Sequence, residues 1–187
     1  MDIDCCRNVR IVNCSVNSPW DDGIVPKSSF ALGYNRPCEN MVIANCYVTG
    51  AYRLGTMLDG TWQKWGQHEE IRRTGRIKFG TESNGGFKNV AIINCVFDGC
   101  QGLSLESVDG ALLEDFVISN ITMRDITSAP LFIRLGARNR GPAASLQKGT
   151  IRRISITNLN SYNASSEYGC IISGIPGNAM EDVRLSH

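Results

Sequence analysis

No run of eighteen apolar residues occurs anywhere in the 187-residue sequence, so no membrane-spanning helix is expected. The N-terminus lacks both the basic and the apolar stretch of a signal peptide, which taken alone points to a cytosolic chain. Excess charge of one sign is missing as well. Nineteen Lys and Arg against eighteen Asp and Glu leave a net charge of +1, which removes the electrostatic case for a nucleic-acid or anionic-membrane partner. The eight cysteines contain no Cys-x-x-Cys pairing, so no metal site is expected from them. What remains is a chain 42% hydrophobic and 20% charged, long enough for one well-buried domain.

One phrase recurs in it. Asn89 to Phe97 reads as Asn or Asp, apolar, any, apolar, any, Asn, Cys, any, apolar. Asn8 to Val16, Asn40 to Val48, Asp115 to Met123 and Arg153 to Ser161 follow the template in whole or in large part, and Asp182 to His187 begins a sixth copy. The period-2 alternation and the β-branched and aromatic residues make each copy a strand. The inner Asn falls at 13, 45, 94, 120 and 158, in steps of 32, 49, 26 and 38. The shortest step is about one turn of a parallel β-helix, and the longer ones are that turn with loops inserted. The fold expected is all-β: a right-handed single-stranded parallel β-helix of about six coils, residues 1–187 forming one domain cut off at both ends. The five Asn are expected at one bend as an internal ladder, each amide bonding the backbone of the next coil about 4.8 Å away. The sequons at Asn13 and Asn120 should then be buried, and only Asn163 exposed. Cys14, Cys46 and Cys95 each follow a ladder Asn and should stack as small buried hydrophobes.

A second set of strands follows the first: 23–27, 76–80, 102–106, 130–134 and 170–173. Alternation sends Ile24, Ile77, Leu103 and Leu131 inward, with Pro26, Phe79, Leu105 and Ile133. Val25, Lys78, Ser104 and Phe132 face out, as do Lys27, Gly80, Glu106 and Arg134, giving a mostly polar face suited to a linear polymer. Glu106 and Arg134 are expected to form a cross-strand ion pair. Two insertions, 54–75 with Trp62 and Trp65 and 136–149 with Arg138, Arg140 and Pro142, either hold part of a binding site or merely cover the sheet.

Asp21-Asp22 stands at the start of the first complete second strand. Paired carboxylates on an open groove suit glycoside hydrolysis, in which one protonates the leaving oxygen and another activates water. The order of features extends this. Asp-Ile-Asp-x-Cys-Arg-Asn-Val over Asp2 to Val9, then Asn13-Cys14, then Asp21-Asp22-Gly-Ile-x-x-Lys27-Ser28, then a coil with Gly80 and another Asn-Cys, resembles the polygalacturonases of glycoside hydrolase family twenty-eight across nearly the whole chain. That resemblance implies a metal-free, cofactor-free inverting glycosidase of pectic or related acidic polysaccharide, monomeric at full length and secreted or periplasmic. It makes Asp21 the proton donor and Asp22 a carboxylate that helps activate water.

The departures are specific. The family's third carboxylate would lie about three residues before Asp2, so this chain alone is expected to lack it. Its Gly-His-Gly falls at Thr74-Gly75-Arg76, without the His, and its Arg-Ile-Lys falls at Ser104-Leu105-Glu106. The literal string Arg76-Ile77-Lys78 comes one coil early. Arg76 and Lys78 should still point out beside the Asp pair, to bind an acidic sugar or, for Lys78, only to solvate the sheet. Glu82 is the first candidate for a substituted catalytic or binding group; Lys27, Glu106 and Arg134 complete the substrate-binding set. Two other readings stand beside the hydrolase: a non-catalytic polysaccharide-binding β-helix, and a polysaccharide lyase, which would want calcium.

Overall fold

In the computed structural model, which describes residues 1–142 and 148–187, the described residues form fifteen strands. The first seven are β1 (Asp2–Asp4), β2 (Arg7–Val12), β3 (Ser15–Asn17), β4 (Val25–Lys27), β5 (Cys38–Ala44), β6 (Tyr47–Thr49) and β7 (Lys78–Phe79). Then follow β8 (Phe87–Ile93), β9 (Val96–Asp98), β10 (Leu103–Ser107), β11 (Leu112–Arg124), β12 (Leu131–Leu135), β13 (Thr150–Tyr162), β14 (Ile171–Ser173) and β15 (Glu181–Ser186). A single helical turn, α1 (Thr56–Asp59), is the only α-helix among the described residues, and no helix there is long and apolar enough to cross a membrane.

Every strand-to-strand ladder is parallel. One sheet runs β2-β5-β8-β11-β13-β15 through the template copies, with β3, β6 and β9 adding to the later half of β11. The other set, β1-β4 and β7-β10-β12-β14, is joined by the bridges Ile24–Ile77 and Ser28–Ser83. Parallel strands in stacked sheets of this kind are compatible with a parallel β-helix. The predicted inward residues of the second set, Ile24, Ile77, Leu103, Leu131, Phe79, Leu105 and Ile133, are all buried. They meet the first sheet through Phe79, whose ring stands edge-on to Phe87 at 5.4 Å and to Phe116 at 5.0 Å. Edge-to-face pairs of this kind add about 0.5–1.5 kcal/mol beyond burial.

The five template Asn do stack at one bend, but not as an internal ladder. Asn45, Asn94, Asn120 and Asn158 each donate Nδ2 to the Oδ1 of the Asn one strand back, at 3.0–3.2 Å. The bonds are side chain to side chain and all five residues are solvent-exposed. The reason is backbone geometry. Each ladder Asn has φ between 50° and 57°, the left-handed region that Asn tolerates better than other L-residues, and it turns the corner with its side chain on the outside of the bend. The sequons at Asn13 and Asn120 are therefore exposed rather than buried.

The residue that opens the template repeats the device. Asn8, Asn40, Asn89, Asp115, Arg153 and Asp182 all have φ between 51° and 61°. Asn40 donates to Asn8 at 3.1 Å, Asn89 to Asn40 at 2.8 Å, and Arg153 pairs with Asp115. Just before them in sequence, Arg7, Glu39, Lys88, Glu114, Arg152 and Glu181 lie in register and alternate in sign. Arg7–Glu39 at 2.9 Å, Lys88–Glu114 at 3.8 Å and Arg152–Glu114 at 2.8 Å close part of this series. A slip of one strand would set like charges side by side, so the series fixes the stacking order.

Cys46 and Cys95 are buried in one column, with Cys14 half-buried beside Cys46, and all eight cysteines are free thiols. Burial pushes the Cys95 thiol up to about 11.

Candidate active site

Two glycines bring the Asp pair onto the outer face of the second set of strands. Gly23 has no room for a side chain, since a Cβ there would come within 2.8 Å of the Gly75 carbonyl oxygen. Gly75 has φ +44° and would drive a Cβ to 2.2 Å from the Thr49 carbonyl. This close approach lets the Gly23 N–H donate to the Arg76 carbonyl at 2.8 Å, and the Gly75 N–H to the Asp21 carbonyl at 3.0 Å. Asp21 and Asp22 are thereby fixed beside Arg76.

Asp22 then closes a charged network. Its Oδ1 accepts from Arg76 Nε at 2.7 Å and its Oδ2 lies 3.2 Å from Lys78 Nζ. The same ammonium reaches Glu106 Oε1 at 3.7 Å, and the Ser104 hydroxyl donates to that oxygen at 3.1 Å. These side chains are only 8–16% exposed, a setting in which charge-assisted bonds are strong and a lost partner is costly. Asp21 differs. It is exposed, and among the described residues its carboxylate accepts only the Asp22 N–H, at 2.8 Å.

The face is less open than alternation implies. Val25 and Ser104, expected to point out to solvent, are 4% and 0% exposed. Alternation fixes which side of the sheet a residue takes, and the charged side chains and loops that lie over that side bury it. The expected Glu106–Arg134 ion pair is not formed either, although the two stand in register. Glu106 turns along its own strand to Ser104 and across to Lys78, and Arg134 stays exposed with no ion-pair partner among the described residues.

The remaining predicted residues divide between neighbouring clusters. Lys27 pairs with Asp2 at 2.9 Å rather than with Asp22. Glu82 lies 3.8 Å from Arg138. Arg138 in turn grips Asp109, which is 1% exposed and also accepts the Arg140 N–H at 2.9 Å and the Ser83 N–H at 3.2 Å. Burial acts to raise the Asp109 carboxyl, but the Arg138 guanidinium and the two N–H donors outweigh it and hold it below the usual carboxylate range. Sequence reasoning missed Asp109, because Asp-Gly at 109–110 reads only as a turn. Residues 143–147 of the second predicted insertion lie outside the described residues.

The first insertion closes back against the Asp pair, with the Thr74 N–H donating to the Pro19 carbonyl at 3.3 Å. Of its two tryptophans, Trp65 is half-buried: Trp20 stands edge-on to it at 6.3 Å and the Arg53 guanidinium lies 4.7 Å from its ring. Trp62 is half-exposed against Tyr52. Trp20, also half-exposed and next to Asp21 in sequence, is the ring nearest the acids along the chain.

Two hollows flank Glu106. One, of about 260 Å³, is lined by Thr81, Glu106, Val108, Arg134, Ala137 and Arg138. The other, of about 340 Å³, is lined by Arg76, Glu106, Ser128, Ala129, Phe132, Tyr168 and Ile171. Together they bring Arg76, Arg134 and Arg138 near the rings of Phe132 and Tyr168. A larger hollow of about 640 Å³ over Ile172 to Met180 contains no titratable side chain and carries no chemistry.

No family model, no curated protein and no solved structure matches this chain, so the functional argument rests on the residues of the site.

Proposed function

We propose that the chain is a right-handed single-stranded parallel β-helix of about six coils and acts as a glycoside hydrolase of polygalacturonase type, cleaving pectic or related acidic polysaccharide with inversion. The observation that carries the reading is the pairing of an open carboxylate, Asp21, with a neighbouring carboxylate, Asp22, that is tied to Arg76 and Lys78 beside two hollows. Asp21 is free to carry a proton to a glycosidic oxygen. Asp22 is held between two cations, and Arg76, Lys78 and Arg134 supply positive charge for a uronic-acid polymer. Glu82, Glu106 and Lys27 border the same face. The site uses no metal or cofactor in this reading, and the substrate is its principal partner.

The test is release of reducing ends from polygalacturonate by the protein, with product stereochemistry followed by NMR. The reading expects turnover with inverted first product, and loss of turnover in Asp21→Asn. A retained configuration, or absence of turnover, would sink it.

A non-catalytic polysaccharide-binding protein is the second reading, and the engagement of both Asp22 oxygens by cations favours it. In that case oligogalacturonate binds, no reducing ends appear, and replacing Asp21 or Asp22 singly leaves affinity nearly unchanged.

A further inference from the structure

Glu106 is a largely buried carboxylate on this face, with one oxygen that no hydrogen-bond or ion-pair partner engages among the described residues. It is 8% exposed, and its two partners among the described residues, Ser104 Oγ at 3.1 Å and Lys78 Nζ at 3.7 Å, both approach Oε1. Oε2 has no partner there. A cation stands in register one strand away in Arg134, yet it is not used. Glu106 also lines both hollows, so the idle oxygen lies where a bound polymer would pass.

A general base must offer a lone pair to the water it activates. Asp22 is poorly placed for that, because each of its oxygens is already claimed by a cation, at 2.7 and 3.2 Å. Glu82 is more exposed and faces Arg138. Lys78 touches both Asp22 and Glu106, so Glu106 stands on the same side of the sheet as Asp22, with Asp22 Oδ2 and Glu106 Oε1 no more than about 7 Å apart.

We infer that Glu106 is the general base of the hydrolysis proposed above, and the inference rests on that reading. Asp21 is the acid, and Asp22 is the positioning residue that holds Arg76 and Lys78. In the step, the Asp21 carboxylic acid gives its proton to the glycosidic oxygen as the C1–O bond breaks and the leaving sugar departs as an alcohol. A water oxygen bonds to C1 from the opposite face, and the proton it loses goes to Glu106 Oε2. Asp21 ends as carboxylate and Glu106 as acid, and exchange with solvent restores both. No electrons change hands.

The experiment measures wild type, Glu106→Gln and Glu106→Ala for reducing-end release from polygalacturonate, for oligogalacturonate binding by calorimetry, and for melting temperature. Glu106→Gln keeps the shape and an acceptor for Ser104, so it provides a folded variant even if Glu106→Ala melts early. Turnover should fall about 10²- to 10⁴-fold in both, with binding retained. Sodium azide should restore turnover to Glu106→Ala and yield a glycosyl azide of inverted configuration, because an anion needs no base; a merely structural role would not give this product. If wild type turns over but Glu106→Gln stays within about tenfold of it, well short of that loss, Glu106 is not the base. Azide rescue of Glu82→Ala in place of Glu106→Ala would assign the role to Glu82. Should wild type itself release no reducing ends, the hydrolase reading fails first and this assignment falls with it.

Discussion

Glu106 and Arg134 stand opposite each other on neighbouring parallel strands without forming an ion pair. The Glu106 carboxylate is taken by the Ser104 hydroxyl and the Lys78 ammonium instead. Lys78 is shared with Asp22, and Arg138 is engaged by Asp109 and Glu82. On this face Asp21 and Arg134 have no ion-pair partner among the described residues. An ion-pair network that ends in two uncommitted charges of opposite sign is suited to a ligand carrying both an oxygen to protonate and a carboxylate to hold.

Asp21 and Asp22 should separate chemistry from stability. Asp21→Asn removes an exposed group that accepts a backbone N–H and no other donor among the described residues, so melting should barely change while hydrolysis falls about 10²- to 10⁴-fold. Asp22→Asn leaves Arg76 and Lys78 without their counter-charge on a largely buried face and should cost about 1–3 kcal/mol. Denaturant titration of both variants checks this, and equal destabilisation would contradict the network described.

The asparagine ladder should depend more on backbone conformation than on its exposed side-chain bonds. At Asn94, with φ +54°, Ala pays the left-handed penalty of about 1–2 kcal/mol, whereas Gly adopts the same φ freely. Asn94→Gly should therefore destabilise less than Asn94→Ala in urea melts. The reverse order would mean that the ladder hydrogen bonds dominate.

Acid should unfold the protein partly through Asp109. Its carboxyl is lower in the folded state than the unfolded value of about 3.9, so its contribution is fully present above that value and disappears as pH falls through the folded one. Asp109→Asn should be less stable than wild type at pH 7, and the gap should narrow below about pH 4. A gap that holds constant down to pH 2 would show that Arg138 does not depend on the Asp109 charge.

Thiol reactivity should follow burial. Burial raises Cys5 to about 12 and Cys38 and Cys95 to about 11, and it raises Cys46 and Cys100 as well. Cys6 and Cys170 are exposed. Iodoacetamide at pH 8 should label these two first, because the thiolate is the reacting form. Peptide mass spectrometry reads the order, and early labelling of Cys95 would contradict the buried column.

The repeat by itself determined where the strands run, that they stack in parallel, and which side chains form the core. Those properties depend on period-2 alternation and on a recurring Asn, both local in sequence, and Ile92, Cys95 and Phe97 lie buried as the template requires. The alternating charges before each opening residue, from Arg7 to Glu181, emerged with the strand register. The tertiary structure decided the rest of the site. An Asn at positive φ points outward from its corner, a consequence of backbone geometry that the letter Asn does not carry. Asp22 meets Arg76 across 54 residues and Glu106 chooses Lys78 over an in-register Arg134, because long charged side chains on a crowded face select partners by reach and shared burial, and strand register sets only which of them are neighbours.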